Sequence, residues 1–307
     1  MAKRNYTVIG ATGQIGHVVV ERLLIEGHYV KAVGRDRQKL DYLKSKGAEV
    51  ISVENFEHEA KISQACQGID ALFCMLPPGS GIDNYPKFQD AVGEVLKTAI
   101  HKNSIQHVVN LSSIGAHLPE GTGPIKGLYR QEQRLNTLSD VNILHLRPGY
   151  FMENLFWSIP MIHQTGTLKT LFKPDISISM VSTEDIGMKA AECLNNLNFE
   201  GHTIFDFVGP RSLNVIEVAK ILGGAIGKPD LKCAQQAYEE AKKEMLSAGM
   251  PPTLADLIIE MYQAFNAGKC LPTQKLTPEH QGKITIEQFA RQFAQAYKQV
   301  ERQKATI

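Results

Sequence analysis

Three glycines near the start of the chain have a spacing that could cradle a phosphate group. They lie in the run Gly10-Ala11-Thr12-Gly13-Gln14-Ile15-Gly16. At a turn from a strand into a helix, the first glycine permits a tight turn, the second lets a pyrophosphate approach the backbone, and the third allows close helix packing. The helix N-terminus adds free amide donors and partial positive charge. Glycines could merely end a strand, but this run follows a predicted strand and opens a predicted helix, so we expect a dinucleotide-binding turn.

The end of the second predicted strand carries a further chemical signal. Enzymes that use NAD place an acidic residue there for the adenosine ribose, whereas this chain has Gly34 followed by Arg35. An arginine can bind a 2′-phosphate through charge-assisted hydrogen bonds, and Arg37 or Lys39 could add attraction. The sequence therefore favours NADP over NAD. Two alternatives stay open: Asp36 would return a carboxylate if the strand ended one residue later, and the basic residues could form a solvated surface.

A parallel sheet would hold these residues in place. Short β-branched runs alternate with segments of helical period through the first half of the chain, which is typical of strand-helix-strand units. We predict six strands, at Tyr6–Ile9, Tyr29–Val33, Glu49–Val53, Ala71–Met75, His107–Leu111 and Asn142–Leu146. Residues 1–155 are thus predicted to form an α/β domain, a doubly wound parallel sheet of the Rossmann type that binds NAD(P).

The simple alternation ends near Glu153, and residues 156–307 are predicted to form a smaller, mainly helical C-terminal lobe that binds substrate. Residues 176–208 are expected to return to the Rossmann sheet, with a strand at Asp175–Val181 and an edge strand at Thr203–Val208. Three helix starts are predicted from capping patterns. These patterns are Ser182-x-x-Asp185, Asn214-x-x-Glu217 and Thr285-x-x-Gln288.

Composition excludes several classes of protein. Of 307 residues, 33 are basic and 32 acidic, so a net charge of +1 leaves no excess to bind nucleic acid. No apolar run approaches the roughly 18 residues of a membrane helix, and the N-terminus lacks a cleavable apolar leader. We therefore expect a cytoplasmic protein. The 5 cysteines are widely spaced and the 10 histidines scattered, which indicates reduced thiols and no metal site.

Four segments together resemble one family. They are the glycine run, Gly34-Arg35, Asn110-Leu111-Ser112-Ser113 and Arg147-Pro148-Gly149-Tyr150-Phe151-Met152-Glu153-Asn154. Over roughly the first two thirds of the chain, their order resembles the NmrA-like branch of the atypical short-chain dehydrogenases. The last segment is the most specific marker. That branch includes NADPH-dependent quinone reductases and regulatory proteins that bind the dinucleotide without turning it over.

The resemblance also names candidate catalytic residues. Typical short-chain dehydrogenases have a serine after the fifth strand and a Tyr-x-x-x-Lys pair, in which the lysine lowers the tyrosine pKa so that the phenol can exchange a proton. Ser112 or Ser113 matches the serine and Tyr129 the tyrosine, but Gln133 stands where the lysine belongs. Lys126, three residues before Tyr129, could reach the same helical face. Catalysis by a tyrosine-lysine pair is therefore not expected, and Tyr129 could equally have a packing role.

Other positions match the family's cofactor contacts. Asn55 and Phe56 follow the third strand and would lie beside the adenine. Leu76 and Pro77 follow the fourth strand and would line the dinucleotide's path. The segment Pro148-Gly149-Tyr150-Phe151 follows the sixth strand, where the nicotinamide is expected, because ligands bind outside the carboxyl ends of parallel strands. For Phe56 and Phe151 a plain core role is an equal alternative.

Two functions remain open from the sequence. One is an oxidoreductase that transfers hydride from NADPH to a small conjugated acceptor such as a quinone, with the substrate between the two lobes. The other is a redox sensor that binds NADP(H) and reports its state to a protein partner. The C-terminal lobe favours the enzyme, and the missing lysine favours the sensor.

Overall fold

The computed structural model describes residues 2–79 and 81–305. The strands are β1 (Asn5–Ile9), β2 (Tyr29–Gly34), β3 (Glu49–Ser52), β4 (Ala71–Met75), β5 (His107–Leu111), β6 (Asn142–Pro148), β7 (Tyr150–Phe151), β8 (Thr167–Thr170), β9 (Ile178–Val181), β10 (His202–Phe207), β11 (Ser212–Leu213) and β12 (Lys232–Gln235). The α-helices are α1 (Gly16–Ile25), α2 (Arg37–Ser45), α3 (Glu59–Ala65), α4 (Tyr85–Lys102), α5 (Ile125–Leu135), α6 (Ile159–Thr165), α7 (Thr183–Asn196), α8 (Val215–Ala225), α9 (Tyr238–Ser247), α10 (Pro252–Asn266) and α11 (Ile286–Ala305). Met152–Ser158 and Pro278–His280 form 3₁₀ helices.

Seven parallel strands form the central sheet, in the order β10-β6-β5-β4-β1-β2-β3. The predicted Rossmann-type sheet and its six strands are confirmed, with boundaries within two residues. Helices cover both faces. Val19 and Leu23 of α1 pack with Ile186 of α7 on one face, whereas Val92 and Leu96 of α4 pack on the other. Burial on both faces explains the nearly continuous apolar strands.

The C-terminal residues build a separate apolar core around α8, α11 and the 3₁₀ helix Met152–Ser158. The strand predicted at Asp175–Val181 is present as β9, but it pairs with β7 and β11 in a small sheet of its own. The expectation that all of 176–208 returns to the central sheet is therefore wrong for β9. Strand β10 does return to the central sheet, where it pairs in parallel with β6. Helix α7, which precedes it, lies against α1. The division of the chain at residue 155 stays a prediction.

The predicted helix starts are confirmed by their hydrogen bonds. The Ser182 hydroxyl accepts from the Asp185 N–H at 3.0 Å, and Asn214 with Glu217 forms a reciprocal capping box at α8. These caps satisfy amide groups that have no partner inside the helix. No helix within residues 2–79 and 81–305 is long and apolar enough to cross a membrane.

Candidate dinucleotide site and adjoining cavity

Two glycines of the turn after β1 are required by the fold itself. Gly10 has a φ of +80°, which other residues rarely adopt, and a Cβ there would lie 2.6 Å from the Met75 sulfur. A Cβ on Gly16 would lie 2.2 Å from the Gly10 carbonyl oxygen, so α1 can approach the turn only without a side chain at this position. Neither glycine needs a ligand to explain it.

Gly13 differs, because the protein leaves its surroundings open. Its φ is not positive, it is exposed, and a Cβ would meet only the Gly10 oxygen, at 3.2 Å. Helix α1 has no side-chain cap and no acidic residue in its first turn. Among the described residues, the N–H groups of Gln14 and Ile15 have no hydrogen-bond partner. Free amides at a helix N-terminus beside bare backbone fit a pyrophosphate.

The end of β2 has no carboxylate that faces this turn. A Cβ on Gly34 would lie 2.5 Å from the Thr12 side chain, so a larger residue has no room there. Asp36 caps α2, because its Oδ1 atom accepts the Lys39 N–H at 3.1 Å. Asp36 is the carboxylate that would otherwise be expected to bind a ribose. The Arg35 guanidinium lies 5.7 Å from the centroid of the Phe56 ring. It is exposed and makes no ion pair within the described chain.

Lys39 brings a second cation to the turn. Its ammonium donates to the Thr12 carbonyl oxygen at 3.4 Å. Together with Gly13 and Gln14 it lines a cavity of about 230 Å³ between the turn and α2. Arg37 begins α2 and is exposed, and it does not line this cavity.

The residues after β3 and β4 are held mainly by the protein. Asn55 is exposed, and its side-chain oxygen accepts the Glu57 N–H at 3.1 Å. Phe56 and Leu76 are buried in the core on the α4 face. The Pro77 carbonyl accepts a hydrogen bond from the Tyr85 hydroxyl. Contact of these residues with a cofactor stays a prediction.

Ser112 belongs to a buried ionic cluster. Its hydroxyl donates to the Glu132 carboxylate, which also pairs with the Arg147 guanidinium, whose Nε is 2.8 Å from Glu132 Oε1. Side-chain exposure of Arg147 and Glu132 is only 4% and 2%. Because the serine proton is directed at Glu132, the Ser112 oxygen can accept a hydrogen bond from another group but cannot donate one. A proton-donor role for Ser112 would require its hydroxyl to leave this cluster.

The three candidate catalytic residues do not form one hydrogen-bonded group. The Lys126 ammonium lies 3.7 Å from the Glu260 carboxylate of α10. Tyr129 is half-buried, and its hydroxyl has no hydrogen bond within the described residues. Gln133, at the position of the lysine, is exposed. Within the described residues, no cation is hydrogen-bonded to the Tyr129 hydroxyl.

After β6 the chain passes from the central sheet into the lobe. Pro148 ends β6, and a Cβ on Gly149 would lie 2.2 Å from the Ser179 carbonyl oxygen, so the chain crosses β9 very closely. Phe151 packs against the core on the α1 face. The Tyr150 ring points the other way, as alternation along a strand requires, and packs 5.0 Å from the Phe172 ring.

Tyr150 forms a hydroxyl pair with Tyr262 of α10, at 2.8 Å between the oxygens. Burial and the neighbouring phenol raise the pKa of Tyr150 well above its ordinary value, and burial raises the pKa of Tyr262. Both phenols are therefore protonated at neutral pH and can donate hydrogen bonds.

Glu153 lies on the opposite side of the same segment. Its carboxylate accepts the Thr183 N–H at 2.9 and 3.0 Å, at the start of α7. Burial raises the Glu153 pKa, although the backbone donor opposes the shift. Glu153 and Gln14 line one groove of about 420 Å³ between α1 and α7. The hydrogen bonds from the Thr183 N–H to Glu153 connect the segment after β6 to the start of α7.

Comparison with known proteins identifies the family. The sequence model of the NmrA-like family matches residues 2–294. The chain belongs to the NmrA-like family. A curated relative of this NmrA-like protein, an NAD(P)H azoreductase of Xenophilus azovorans, is 28% identical over 295 residues, which cover 94% of the chain and 98% of the relative.

Two solved structures share the fold of this NmrA-like chain. The NADPH-dependent quinone oxidoreductase from Escherichia coli, complexed with NADPH, has a TM-score of 0.77 at 21% identity and covers 94% of the chain and 99% of its own. NmrA, a negative transcriptional regulator solved in complex with NAD, has a TM-score of 0.76 at 16% identity, with 98% of each chain covered. One of these two structures is thus named as an oxidoreductase and the other as a transcriptional regulator.

Sequence reasoning missed two residues of this NmrA-like site, Glu132 and Tyr262. Glu132 could have been found, because it lies on the apolar face of α5 with Leu128 and Leu135, where an acidic residue indicates a buried partner. Tyr262 gave no local signal. It reaches Tyr150 only through the docking of α10, which lies 112 residues further along the chain.

Proposed function

We propose that this chain is an NADP(H)-dependent oxidoreductase that transfers hydride to a small conjugated acceptor such as a quinone. The observation that carries the proposal is the open backbone at Gly13, beside the unpartnered amides of Gln14 and Ile15. Two similar proteins support it: the azoreductase uses NAD(P)H, and the quinone oxidoreductase is complexed with NADPH.

The surroundings of β2 support NADP(H) over NAD(H). Arg35 is exposed and stacked beside Phe56, so it can bind a 2′-phosphate without first breaking an ion pair. Lys39 lines the cavity next to the turn and adds positive charge. The carboxylate of Asp36 accepts the Lys39 N–H at the α2 cap.

The chain's part in the reaction is to bind and orient. When bound, NADPH supplies a hydride, and a quinone that receives it needs one further proton to become a hydroquinone. Ser112 can hold a donor group of a ligand in place, since Glu132 fixes its hydroxyl proton. The Tyr150 and Tyr262 phenols stay protonated, and the one O–H group that is not donated within the pair can donate to an acceptor oxygen. Water can supply the last proton, so no tyrosine-lysine pair is needed.

A second function, NADP(H) sensing without turnover, has its own support. Gln133 is exposed, and Tyr129 has no cationic partner among the described residues. The regulator NmrA shares this fold in complex with NAD. As a sensor the chain would bind the dinucleotide, reduce nothing and present a changed surface to a protein partner.

The deciding experiment is an anaerobic screen of NADPH oxidation with quinones, azo dyes, aldehydes and enones. The proposal expects NADPH consumption with a quinone or azo dye, and loss of that activity in Gly13→Ala. Tight NADPH binding with no acceptor reduced would support the sensor instead. Failure of the purified chain to bind NADPH would contradict both functions.

A further inference from the structure

The C-terminal lobe contains a cavity whose walls share no residue with the cavity at the glycine turn. It has a volume of about 220 Å³ and begins at Tyr150, two residues after the end of β6. Its walls come from the 3₁₀ helix Met152–Ser158, from β8 and from helices α9 and α10. Apolar and aromatic side chains dominate them, including Leu155, Trp157, Met161, Met180, Met245 and Tyr262.

Trp157 forms part of the cavity wall although 85% of it is exposed. It is the 1 tryptophan of the chain. A large aromatic ring left in water gains nothing for the fold, and exposed apolar groups beside a pocket mark ligand-binding sites. Three flexible thioethers, those of Met161, Met180 and Met245, line the same cavity and can adapt to a flat ring.

Two kinds of donor are available in this apolar cavity. The Nε2 group of Gln236 is buried and has no hydrogen-bond partner among the described residues. In the pair of Tyr150 and Tyr262, only one hydroxyl can donate to the other, and Asn154 hydrogen-bonds Tyr150 as a donor. One O–H proton of the pair is therefore left for a further acceptor. An unpaired buried donor costs free energy that a ligand acceptor would recover.

The charges around the cavity select against an anion. Lys169 is paired with Glu240 at 3.1 Å, so its ammonium is neutralised. Glu244 lines the cavity and is exposed. A neutral ligand therefore fits better than a carboxylate or a sulfonate.

From these observations we infer that the cavity binds a neutral, planar aromatic ligand that carries a carbonyl or azo acceptor, with its ring on Trp157 and its acceptor atom at Gln236 and the tyrosine pair. In the oxidoreductase proposed above this ligand is the hydride acceptor, so the substrate role rests on that proposal. The cavity starts where β6 ends, at the edge of the sheet where ligands of parallel sheets bind. Binding itself needs no cofactor.

Trp157 makes the test direct, because a ring stacked on the single tryptophan should quench its fluorescence. The probe is duroquinone, whose ring carries no open position for the half-buried Cys233 thiol to attack. Titrations are run with and without saturating NADP⁺, which permits no turnover. We expect saturable quenching in the wild type and, with Gln236→Leu, about three- to tenfold weaker binding.

Gln235→Leu is the matched control. Gln235 is the adjacent glutamine, is exposed and does not line the cavity, so we expect its variant to bind duroquinone like the wild type. Trp157→Ala, followed by calorimetry, should weaken binding about two- to tenfold through lost ring contact, while the exposed position leaves folding intact.

The outcomes separate this inference from the proposed function. Duroquinone reduction by NADPH with no quenching, and with equal activity in Gln236→Leu and Gln235→Leu, would overturn the cavity assignment and leave the oxidoreductase standing. Saturable quenching that Gln236→Leu weakens, in a protein that oxidises no NADPH, would support the cavity and contradict the substrate role. Equal weakening by both leucine variants would also overturn the assignment to Gln236.

Discussion

Replacing Gly13 by alanine should separate cofactor binding from folding. The added Cβ meets one atom, the Gly10 carbonyl oxygen at 3.2 Å, which can yield by a few tenths of an ångström. This small cost is offset because alanine lowers the conformational entropy of the unfolded chain, which stabilises the folded protein by about 0.4–1 kcal/mol. We therefore expect the free energy of unfolding to change by less than about 1 kcal/mol. The backbone face on which a pyrophosphate would lie is blocked, so NADPH affinity should fall at least about a hundredfold, or about 2.7 kcal/mol.

Gly16→Ala provides the matched contrast, three residues further along. There the Cβ would lie 2.2 Å from the Gly10 oxygen and 2.8 Å from its carbonyl carbon, and neither backbone atom can move without shifting the turn. Overpacking of this kind costs about 1–3 kcal/mol, so this variant should lose stability. Thermal unfolding and calorimetric NADPH titration of both variants measure the two effects. A folded Gly13→Ala protein that binds NADPH within about threefold of wild type, roughly 0.7 kcal/mol, would refute the reasoning, because the cofactor would then lie elsewhere.

Three further outcomes are expected. Arg35→Ala should weaken NADPH binding by about 1.5–3 kcal/mol and leave NADH binding nearly unchanged, as measured by calorimetry; equal affinities of the wild type for both cofactors would contradict the NADP preference. Tyr129→Phe should lower quinone turnover by less than about tenfold, below the 10²–10⁴-fold of a working general acid; a hundredfold loss of kcat with unchanged NADPH affinity would make Tyr129 the acid. Burial, with the nearby Arg147 charge, lowers the pKa of His145 to about 3. Between about pH 6.5 and pH 3, only the unfolded chain then binds a proton at this histidine. The free energy of unfolding should therefore decrease as the pH falls through this window, by up to about 1.4 kcal/mol per pH unit. His145→Gln should reduce this slope in chemical denaturation, and identical slopes would rule out His145 as its source.

The sequence by itself determined the features that depend on neighbouring residues. The run from Gly10 to Gly16 predicted a strand-to-helix turn because its glycines are required by the backbone conformation of those seven residues alone. The structure has that turn between β1 and α1. The strand at Ala71–Met75 was predicted to the residue because a short, continuous apolar run buried on both faces leaves a local pattern. Capping at Ser182 is likewise a contact across three residues.

Only the tertiary structure decided where side chains point and which distant elements meet. The strand at Ile178–Val181 has the same local pattern whichever sheet it joins, so its place beside β7 depended on packing of the lobe. Asp36 could face a ribose or cap a helix, and in the structure it caps α2 by accepting the Lys39 amide. The Tyr150–Tyr262 pair arises because α10 docks on the lobe 112 residues away, a contact that no local spacing encodes. Local hydrogen bonds and periodicity are set by residues close in sequence, whereas the cavity of an acceptor site is set by surfaces that become neighbours only in the folded chain.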